Sequence, residues 1–397
     1  MNGGINKNMN GKVLIFNRYP LKESFHLKTK FDGQINGFKD LGFDTGILCY
    51  DEKYFYIDTG DEKQKIGSAH TWLPYYYHLF YYINAGVCMR RYLKSCSGVK
   101  VLYYRSGPCF RVLYKMAQTA FQKGINVVCE LPSYYGDGKG EKHLSIFRTM
   151  YTVIWEFWQR RMDKYITLYA LIGDKNESGI YRGRPSVDIS NAINIDSIAL
   201  RNPIIDKKVH ILALGTMGEY HGFDRLIRAS ARYNGNIDYI IHFVGNNAGG
   251  CLEDWKRLAQ DLHTGNRIVF HGPLYGEDLD KMFDICDVGI SSLGAYRIGV
   301  KSLASLKLRE YAARGLAFVY SADDNAIDNE TECQRFALKI SNDDSIPNME
   351  EILNFAMRVK SDINLPVYER EYARKNMQWQ EQFKRIIDKL SEIEERD

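Results

Sequence analysis

The sequence lacks the features of a nucleic-acid-binding, membrane-spanning or secreted protein. Its 53 basic and 49 acidic residues give a net charge of only +4, which is too small for a dedicated nucleic-acid binder. The most apolar run, residues 72–87, is interrupted by Pro74 and Asn84 and is too short and too polar to cross a bilayer. The Asn- and Gly-rich residues 1–12 contain no apolar segment of the kind found in secretory signals. We therefore expect a cytoplasmic protein.

The cysteines show no pattern of disulfide or metal-binding chemistry. All eight are scattered, none belongs to a Cys-x-x-Cys pair, and most have apolar neighbours. Such residues are typical of reduced core cysteines, so we expect no metal site and no required cofactor. Internal repeats, low-complexity segments and a Ser/His/Asp constellation are missing as well. These absences exclude several common kinds of active site.

The sequence does contain a regular alternation of short apolar runs with segments of helical periodicity. In the first half, strands are predicted at 12–16, 45–50, 99–104, 126–129 and 164–168, and helices at 34–41, 110–122 and 143–162. In the second half, strands are predicted at 209–214, 239–244, 267–270, 288–290 and 316–320, and helices at 224–232, 252–262, 279–285 and 302–314. Strands that alternate with helices predict an α/β protein with parallel, doubly wound sheets.

The length of 397 residues favours about two domains rather than one core. Residues 187–206 lose periodicity and collect Ser, Asn and Asp, as an interdomain connection does. We predict an N-terminal Rossmann-like domain at 1–200 and a second Rossmann-like domain at 201–366. A charged terminal helix at 367–397 is expected to pack back on the first domain.

The stretch from Ser302 to Gly315 is the most informative part of the chain. Ser302 and Ser305 stand where helix N-caps would stand, and Gly315 suits the end of the helix. Lys307 and Glu310 are three residues apart and share one face. A helix start with hydroxyls, a cation and a carboxylate suits a sugar nucleotide, because N–H groups and Lys bind phosphate and a carboxylate binds ribose hydroxyls. The alternative is a solvated surface pair.

Several stretches of the second half resemble those of one enzyme family. Residues 214–227, which contain Gly-Phe-Asp-Arg-Leu-Ile, are followed by 243–245, 268–272, 286–288 and 306–315 in a familiar order and spacing. This ordered set resembles the retaining GT-B glycosyltransferases of the glycosyl transferases group 1 type, in particular those that build bacterial surface polysaccharides. The resemblance covers about 209–319 well and the first domain more loosely. It implies two Rossmann-like domains whose parallel sheets face a cleft.

The resemblance also implies site residues and roles. A nucleotide-sugar donor would bind the second domain through Glu310 at the ribose, Lys307, Ser302 and Ser305 at the diphosphate, Gly218 and His221 in the loop after the first strand, and Gly272 to Leu274 near the base. Glu310 and Lys307 are the residues it implies for catalysis. The acceptor side in the first domain is assigned to Glu130 and Tyr134, within Glu-Leu-Pro-Ser-Tyr, and to Arg18 after the first strand.

The sequence departs from the family pattern at three positions. Thr216 and His221 stand where many members have Arg and Lys, and Ser302 stands where the family has a glutamate. Phosphate neutralisation would then depend on Lys307, with Lys301 or Arg297, and on the helix dipole. These departures keep open an alternative, a catalytically weak GT-B protein that acts as a sugar-nucleotide-binding or assembly partner.

The resemblance implies a transferase, of the hexosyltransferase class, that moves sugar from a UDP- or GDP-linked donor to a glycan or lipid-linked acceptor. Retention of configuration and a role in capsular, exo- or lipopolysaccharide biosynthesis follow from the same resemblance. No nucleic acid is expected as partner. The predicted helix 143–162 carries aromatic and basic residues, which fit either core packing or peripheral contact with the inner face of a membrane.

Overall fold

The computed structural model describes residues 11–16, 25–51, 53–68, 77–107, 110–134, 146–328 and 330–396. These residues form two compact units. The first unit contains the described residues up to 134, residues 146–194 and residues 379–396, and the second contains residues 195–378. Each unit is built on one sheet, as the alternation of strands and helices predicts.

Nine strands form the sheet of the first unit in the described part of the chain. They are β1 (Lys12–Phe16), β2 (Asp44–Tyr50), β3 (Tyr54–Asp58), β4 (Lys63–Ser68), β5 (Val99–Arg105), β6 (Asn126–Tyr134), β7 (Leu168–Gly173), β8 (Ile180–Tyr181) and β9 (Arg184–Ile189). Their order is β4-β3-β2-β1-β5-β6-β7-β9-β8. The central strands, in the order β2, β1, β5, β6, β7 and β9, pair in parallel with their neighbours. At one edge β3 and β4 pair antiparallel, and at the other edge β8 pairs antiparallel with β9.

The helices of the first unit pack against this sheet. They are α1 (Phe25–Asp40), α2 (Tyr77–Ser95), α3 (Arg111–Gln122), α4 (Ile146–Asp163) and α11 (Trp379–Glu394). Helix α11 lies against α1, where the Phe38 and Phe383 rings stack at 3.8 Å. Gly33 makes this contact possible, because a Cβ there would lie 2.5 Å from the Trp379 ring. The predicted return of the terminal helix to the first domain is confirmed.

Six parallel strands form the sheet of the second unit among its described residues. They are β10 (Val209–Leu214), β11 (Tyr239–Val244), β12 (Ile268–Gly272), β13 (Val288–Ile290), β14 (Phe318–Tyr320) and β15 (Ala337–Lys339), in the order β12-β11-β10-β13-β14-β15. The helices are α5 (Phe223–Arg232), α6 (Leu252–Asp261), α7 (Gly276–Ile285), α8 (Leu306–Arg314), α9 (Met349–Lys360) and α10 (Leu365–Asn376). The order in which strands are added reverses at β10, because β11 and β12 lie on one side of it and β13, β14 and β15 on the other. Ligands of such sheets bind beyond the carboxyl ends of the strands at this point.

Two sequence expectations about elements are corrected. Residues 164–168 are not a strand, because the N–H groups of Tyr165 and Ile166 bond back to the end of α4 and β7 begins only at Leu168. Residues 367–397 are not one helix, because the chain leaves α10 at Met377 and begins α11 at Trp379. In the described part of the chain no helix is long and apolar enough to cross a membrane.

Candidate functional site

Two glycine-containing loops meet at the carboxyl ends of β10 and β11. Gly245 follows β11 with φ near +143°, and a Cβ there would lie 1.7 Å from the carbonyl oxygen of Gly215. Only glycine permits this approach. Gly218 forms a bridge with Gly250 of the second loop and precedes a short 3₁₀ turn, Glu219–His221. The two loops therefore hold each other in place beside the reversal point of the sheet.

His221 lies at the end of this turn, and its ring is buried. The Thr216 N–H donates to Nε2 at 3.3 Å, while Nδ1 lies 3.1 Å from the Ser292 hydroxyl and 2.9 Å from the Lys307 Nζ. Burial, with a smaller effect of Lys307, lowers the pKa of His221 to about 2. The imidazole is therefore neutral at physiological pH, and His221 supplies no charge to a phosphate.

Lys307 brings the cation of the site from the first turn of α8. Its Nζ lies 2.9 Å from His221 and 5.3 Å from the centre of the Phe223 ring. No carboxylate forms an ion pair with Lys307 in the described residues, and burial lowers its pKa to about 7. An ammonium in this position gains charge stabilisation from any anion that enters.

Helix α8 presents its amino end beside this cation. Its N-cap residue, Ser305, is buried, and its side chain does not cap the helix. The free N–H groups of a helix start form an anion site when they are left for a ligand. Ser302, also buried, is paired with Asp323 in a short bridge that leads into the helix. The predicted diphosphate residues Ser302, Ser305 and Lys307 thus come together around one helix start.

Buried contacts fix the position of α8. Arg309 and Asp324 are both fully buried and form a two-pronged ion pair, and the Tyr311 hydroxyl donates to the Ile290 carbonyl at 3.1 Å. Glu310 is half-buried on the same helix, and its carboxylate accepts from the Arg314 side chain at 3.1 Å. Glu310 thus retains exposed carboxylate surface on a helix that is rigidly anchored.

The remaining donor-side residues lie at the same edge of the sheet. Gly272 ends β12 and accepts the Gly245 N–H at 2.9 Å, and Leu274 follows two residues later, half-buried. The two additional cations differ in what holds them. Arg297 is held by both carboxylate oxygens of Asp224 at 2.7 and 2.8 Å, whereas Lys301 is exposed. The role of Arg297 or Lys301 as a phosphate cation stays a prediction.

Glu130 in the first unit is a buried carboxylate with both oxygens occupied. Lys30 donates to one oxygen at 2.8 Å, and Gln34 and Tyr103 donate to the other at 2.8 and 2.6 Å. Despite burial, these partners and Arg105 lower the pKa of Glu130 to about 2. These contacts fit a role in fixing α1 against β5 and β6.

The other two acceptor-side residues are less defined. Tyr134 is the last residue of β6, where its backbone pairs with Gly173. Arg18 lies outside the described residues. The assignment of Arg18, Glu130 and Tyr134 to an acceptor therefore stays a prediction.

Sequence reasoning missed Ser292 and Lys30. Ser292 lies just beyond the carboxyl end of β13, and this position was a usable signal because ligands bind there. Lys30 gave no signal, since its partner Glu130 is 100 residues away in the sequence. Among the described residues no group of His, Cys, Asp or Glu side chains is arranged to hold a metal ion.

The candidate site lies within a stretch of the chain that matches a known family. Residues 195–326 match the model of the family glycosyl transferases group 1. No curated protein sequence matches the chain.

Solved structures share the fold over nearly the whole chain. A glycosyltransferase from Rickettsia africae superposes with a TM-score of 0.64 at 12% identity, covering 97% of this chain and 98% of the other. The E. coli trehalose-6-phosphate structure bound with UDP-2-fluoro glucose gives 0.62 at 11% identity, with 96% and 98% covered. Anabaena Alr3699/HepE in complex with UDP gives 0.58 at 12% identity, with 96% and 100% covered.

The family match spans the residues that form the candidate donor site, from the start of the second unit to just beyond Asp324. The structural matches extend the likeness to both units, as far as the fold is concerned. The chain thus has the GT-B fold, and its residues 195–326 match the glycosyl transferases group 1 model; together these findings support its assignment as a glycosyltransferase.

Proposed function

We propose that the protein transfers a sugar, with retention of anomeric configuration, from a nucleoside diphosphate sugar bound at the start of α8. The observation that carries the proposal is the position of the Lys307 Nζ, which has no carboxylate partner in the described residues and stands beside an uncapped helix start. A cation and free N–H groups at this place suit a diphosphate. Glu310, one turn further along, would accept hydrogen bonds from the ribose hydroxyls.

The same groups can serve the chemical step. Transfer breaks the bond between the anomeric carbon and the leaving diphosphate oxygen, so negative charge grows on the diphosphate. Lys307 and the N–H groups of α8 stabilise that charge from fixed positions, which is the most effective form of electrostatic catalysis. In a retaining reaction the acceptor hydroxyl can attack from the face of the leaving group and pass its proton to the phosphate. No protein base is then needed.

A uridine nucleotide is the first donor to test. Two of the structurally similar proteins hold UDP or a UDP-sugar analogue, although their low identity to this chain speaks for the fold alone. GDP-linked donors suit the same cradle, because ribose and diphosphate are common to both. We therefore place the specificity for the base at Gly272 to Leu274, beyond β12.

We assign the acceptor to a glycan or a lipid-linked sugar of bacterial surface polysaccharide synthesis, reached at the cytoplasmic face of the membrane. The outward face of α4 supports this. Val153, Ile154 and Phe157 are exposed by 64%, 47% and 47%, and Arg161 lies over the Phe157 ring at 3.5 Å. Trp155 and Trp158 pack instead against the core. An apolar patch followed by arginines suits an anionic lipid surface.

Thermal unfolding in the presence of UDP, GDP, CDP, ADP and their sugar conjugates tests the donor site. A ligand at about 100 times its dissociation constant stabilises the folded state by about 2.7 kcal/mol. We expect stabilisation by one nucleotide class, lost in Glu310→Ala and retained in Glu253→Ala, which removes a comparable helix ion pair on α6. The absence of a shift with every nucleotide would contradict the donor site.

The alternative of a catalytically weak binding partner gives a different result in a second assay. The neutral His221 and Thr216 in place of family cations are the features that favour it. A nucleotide sugar that binds but is never turned over, with any acceptor tried, would support the alternative. Turnover that depends on Lys307 supports the transferase.

A further inference from the structure

Lys307 and His221 are in hydrogen-bond contact, so the protonation state of each side chain limits that of the other. Nε2 of His221 lies 3.3 Å from the Thr216 N–H, which can only donate, and 3.4 Å from the Thr216 hydroxyl, which can also accept. When Nε2 accepts from the N–H group, a neutral imidazole carries its proton on Nδ1. This Nδ1–H group faces the Lys307 Nζ at 2.9 Å and the Ser292 hydroxyl at 3.1 Å.

A charged ammonium does not fit this arrangement. An NH₃⁺ group has three donors and no acceptor, so it cannot receive a hydrogen bond from Nδ1–H. A neutral amine can receive it. A charged Lys307 requires the other tautomer, in which Nδ1 accepts from the ammonium and the Nε2–H group faces the Thr216 hydroxyl oxygen at 3.4 Å. The neutral amine and the charged ammonium therefore each belong to one tautomer of His221, so the charge of Lys307 and the position of the imidazole proton are coupled.

No nearby carboxylate in the described residues is available to stabilise a positive charge on Lys307. Glu310 on α8 is engaged by Arg314, and Asp224 at the start of α5 is engaged by Arg297. Glu219 in the 3₁₀ turn is exposed, and Phe223 offers only its ring face. The pKa of Lys307 is accordingly lowered to about 7 by burial, with no carboxylate acting on it in the described part of the chain.

We infer that the Lys307–His221 pair takes up a proton when a nucleoside diphosphate binds, and that this uptake makes donor affinity depend on pH. The inference rests on the proposed donor site. The incoming diphosphate supplies the anion that an ammonium at Nζ requires, and the imidazole then turns to its other tautomer. His221 is a positioning residue in this scheme, because it acts through Lys307 and does not carry charge itself.

The pair also distinguishes ligands by charge. A nucleoside without phosphates brings no anion to Lys307, so its binding leaves the amine neutral. Binding of a diphosphate, by contrast, is accompanied by protonation of the Lys307 amine. Affinity for the diphosphate should therefore fall by about tenfold per pH unit above neutrality, the limit set by one linked proton. Affinity for the nucleoside should stay constant over the same range.

Isothermal titration calorimetry at pH 8 tests the inference with UDP, or with whichever nucleoside diphosphate stabilises the protein. Titrations in HEPES, bicine and Tris, which differ in ionisation enthalpy and bring no phosphate to the site, give the number of protons taken up. Near pH 8 a group with a pKa of about 7 is mostly neutral, so we expect uptake of about one proton with UDP and none with uridine.

One variant and its control test whether Lys307 is the group that takes up the proton. Lys307→Arg keeps a cation that does not lose its proton, so it should bind UDP with no buffer-dependent enthalpy. Lys256→Arg on α6 is the matched control and should show the wild-type uptake. Binding of UDP without proton uptake, or the same uptake in Lys307→Arg, would overturn the inference and leave the donor site intact. Failure of every nucleoside diphosphate to bind would overturn both.

Discussion

At the scale of single residues, Glu369 on α10 is a buried carboxylate whose charged form is costly. Its carboxylate is fully buried, and neither oxygen has a hydrogen-bond partner among the described residues. Burial raises the pKa of Glu369 well above its usual value, although Arg201 opposes the shift. A raised pKa means that the folded state binds the proton more tightly than the unfolded state does. Stability is therefore lost as pH rises through the range between the two values.

We predict that Glu369→Gln stabilises the protein at pH 8 by on the order of 1–3 kcal/mol, because the amide never has to carry a buried charge. Urea unfolding at pH 5 and pH 8 measures this. The gain should be larger at pH 8 than at pH 5. Glu371→Gln, an exposed neighbour on the same helix, should change little at either pH. An equal effect of the two substitutions would show that burial of Glu369 is not the cause.

The sequence indicated some residues of the site and not their partners. Lys307 and Glu310 could be placed on one face of a helix start because helical spacing is local. The contact between Lys307 and His221 joins positions 86 apart, and the Lys30–Glu130 pair joins positions 100 apart. Contacts of this length depend on the packing of whole elements, which no local pattern encodes. This is why the contacts of Glu130 could not be predicted, and the expectation that Glu130 follows the end of a strand was wrong, because β6 continues past it to Tyr134.

At the scale of elements, the buried Arg309–Asp324 pair anchors α8 under the site. Asp324→Ala leaves the Arg309 guanidinium buried without its carboxylate, which costs about 3–5 kcal/mol. Asp323→Ala is the matched control, since its exposed ion pair with Lys339 contributes about 0–1 kcal/mol. Chemical denaturation of both variants tests this. A cost for Asp324→Ala no larger than that of the control would contradict the anchoring role.

Three histidines connect neighbouring strands of the second sheet. His210 on β10 lies 2.9 Å from His242 on β11, which lies 2.9 Å from His271 on β12, and Asp206 accepts from the far nitrogen of His210. The bonds are satisfied when each ring is neutral and carries its proton on Nε2. Burial, followed by the neighbouring rings, lowers the pKa of His242 to about 4.

The sign of the pH effect follows from the lowered pKa. Below about pH 6.5, His242 binds a proton in the unfolded state but stays neutral in the folded state. The free energy of unfolding therefore falls as the pH drops from about 6.5 to about 4. We predict that His242→Asn makes this acid slope shallower. His263→Asn, at an exposed position, should leave the slope unchanged. Denaturation midpoints at pH 4.5, 5.5 and 6.5 provide the measurement, and unchanged slopes in His242→Asn would contradict the histidine contribution.

Some elements could not be predicted from local pattern. Strands β4 and β8 lie at the two edges of the first sheet, and in β4 Lys63 and Lys65 are exposed and no apolar alternation marks the strand. The break between α10 and α11 falls at residues 377–378, where no glycine or proline marks the end of a helix. It is fixed by burial of Trp379 against α1, a tertiary contact.

At the scale of the whole molecule, the alternation of strands and helices was sufficient for two parallel α/β units. The reversal point between β10 and β13 then determines where a ligand of the second unit binds, since loops from both strands and the start of α8 converge there. The match of residues 195–326 to glycosyl transferases group 1 falls on the same elements. In this chain the cation of the candidate site is Lys307 on α8, and the loop after β10 contributes the neutral His221.

The most direct test of the proposed function measures release of nucleoside diphosphate from the nucleotide sugars that bind, in the presence of glycan and lipid-linked acceptors. We predict turnover by the wild-type protein and a loss of about 100-fold or more in Lys307→Ala, because one fixed charge at the leaving group is removed. Lys256→Ala should be as active as the wild type. Turnover by Lys307→Ala at the wild-type rate, or no release from any nucleotide sugar that binds, would contradict the account.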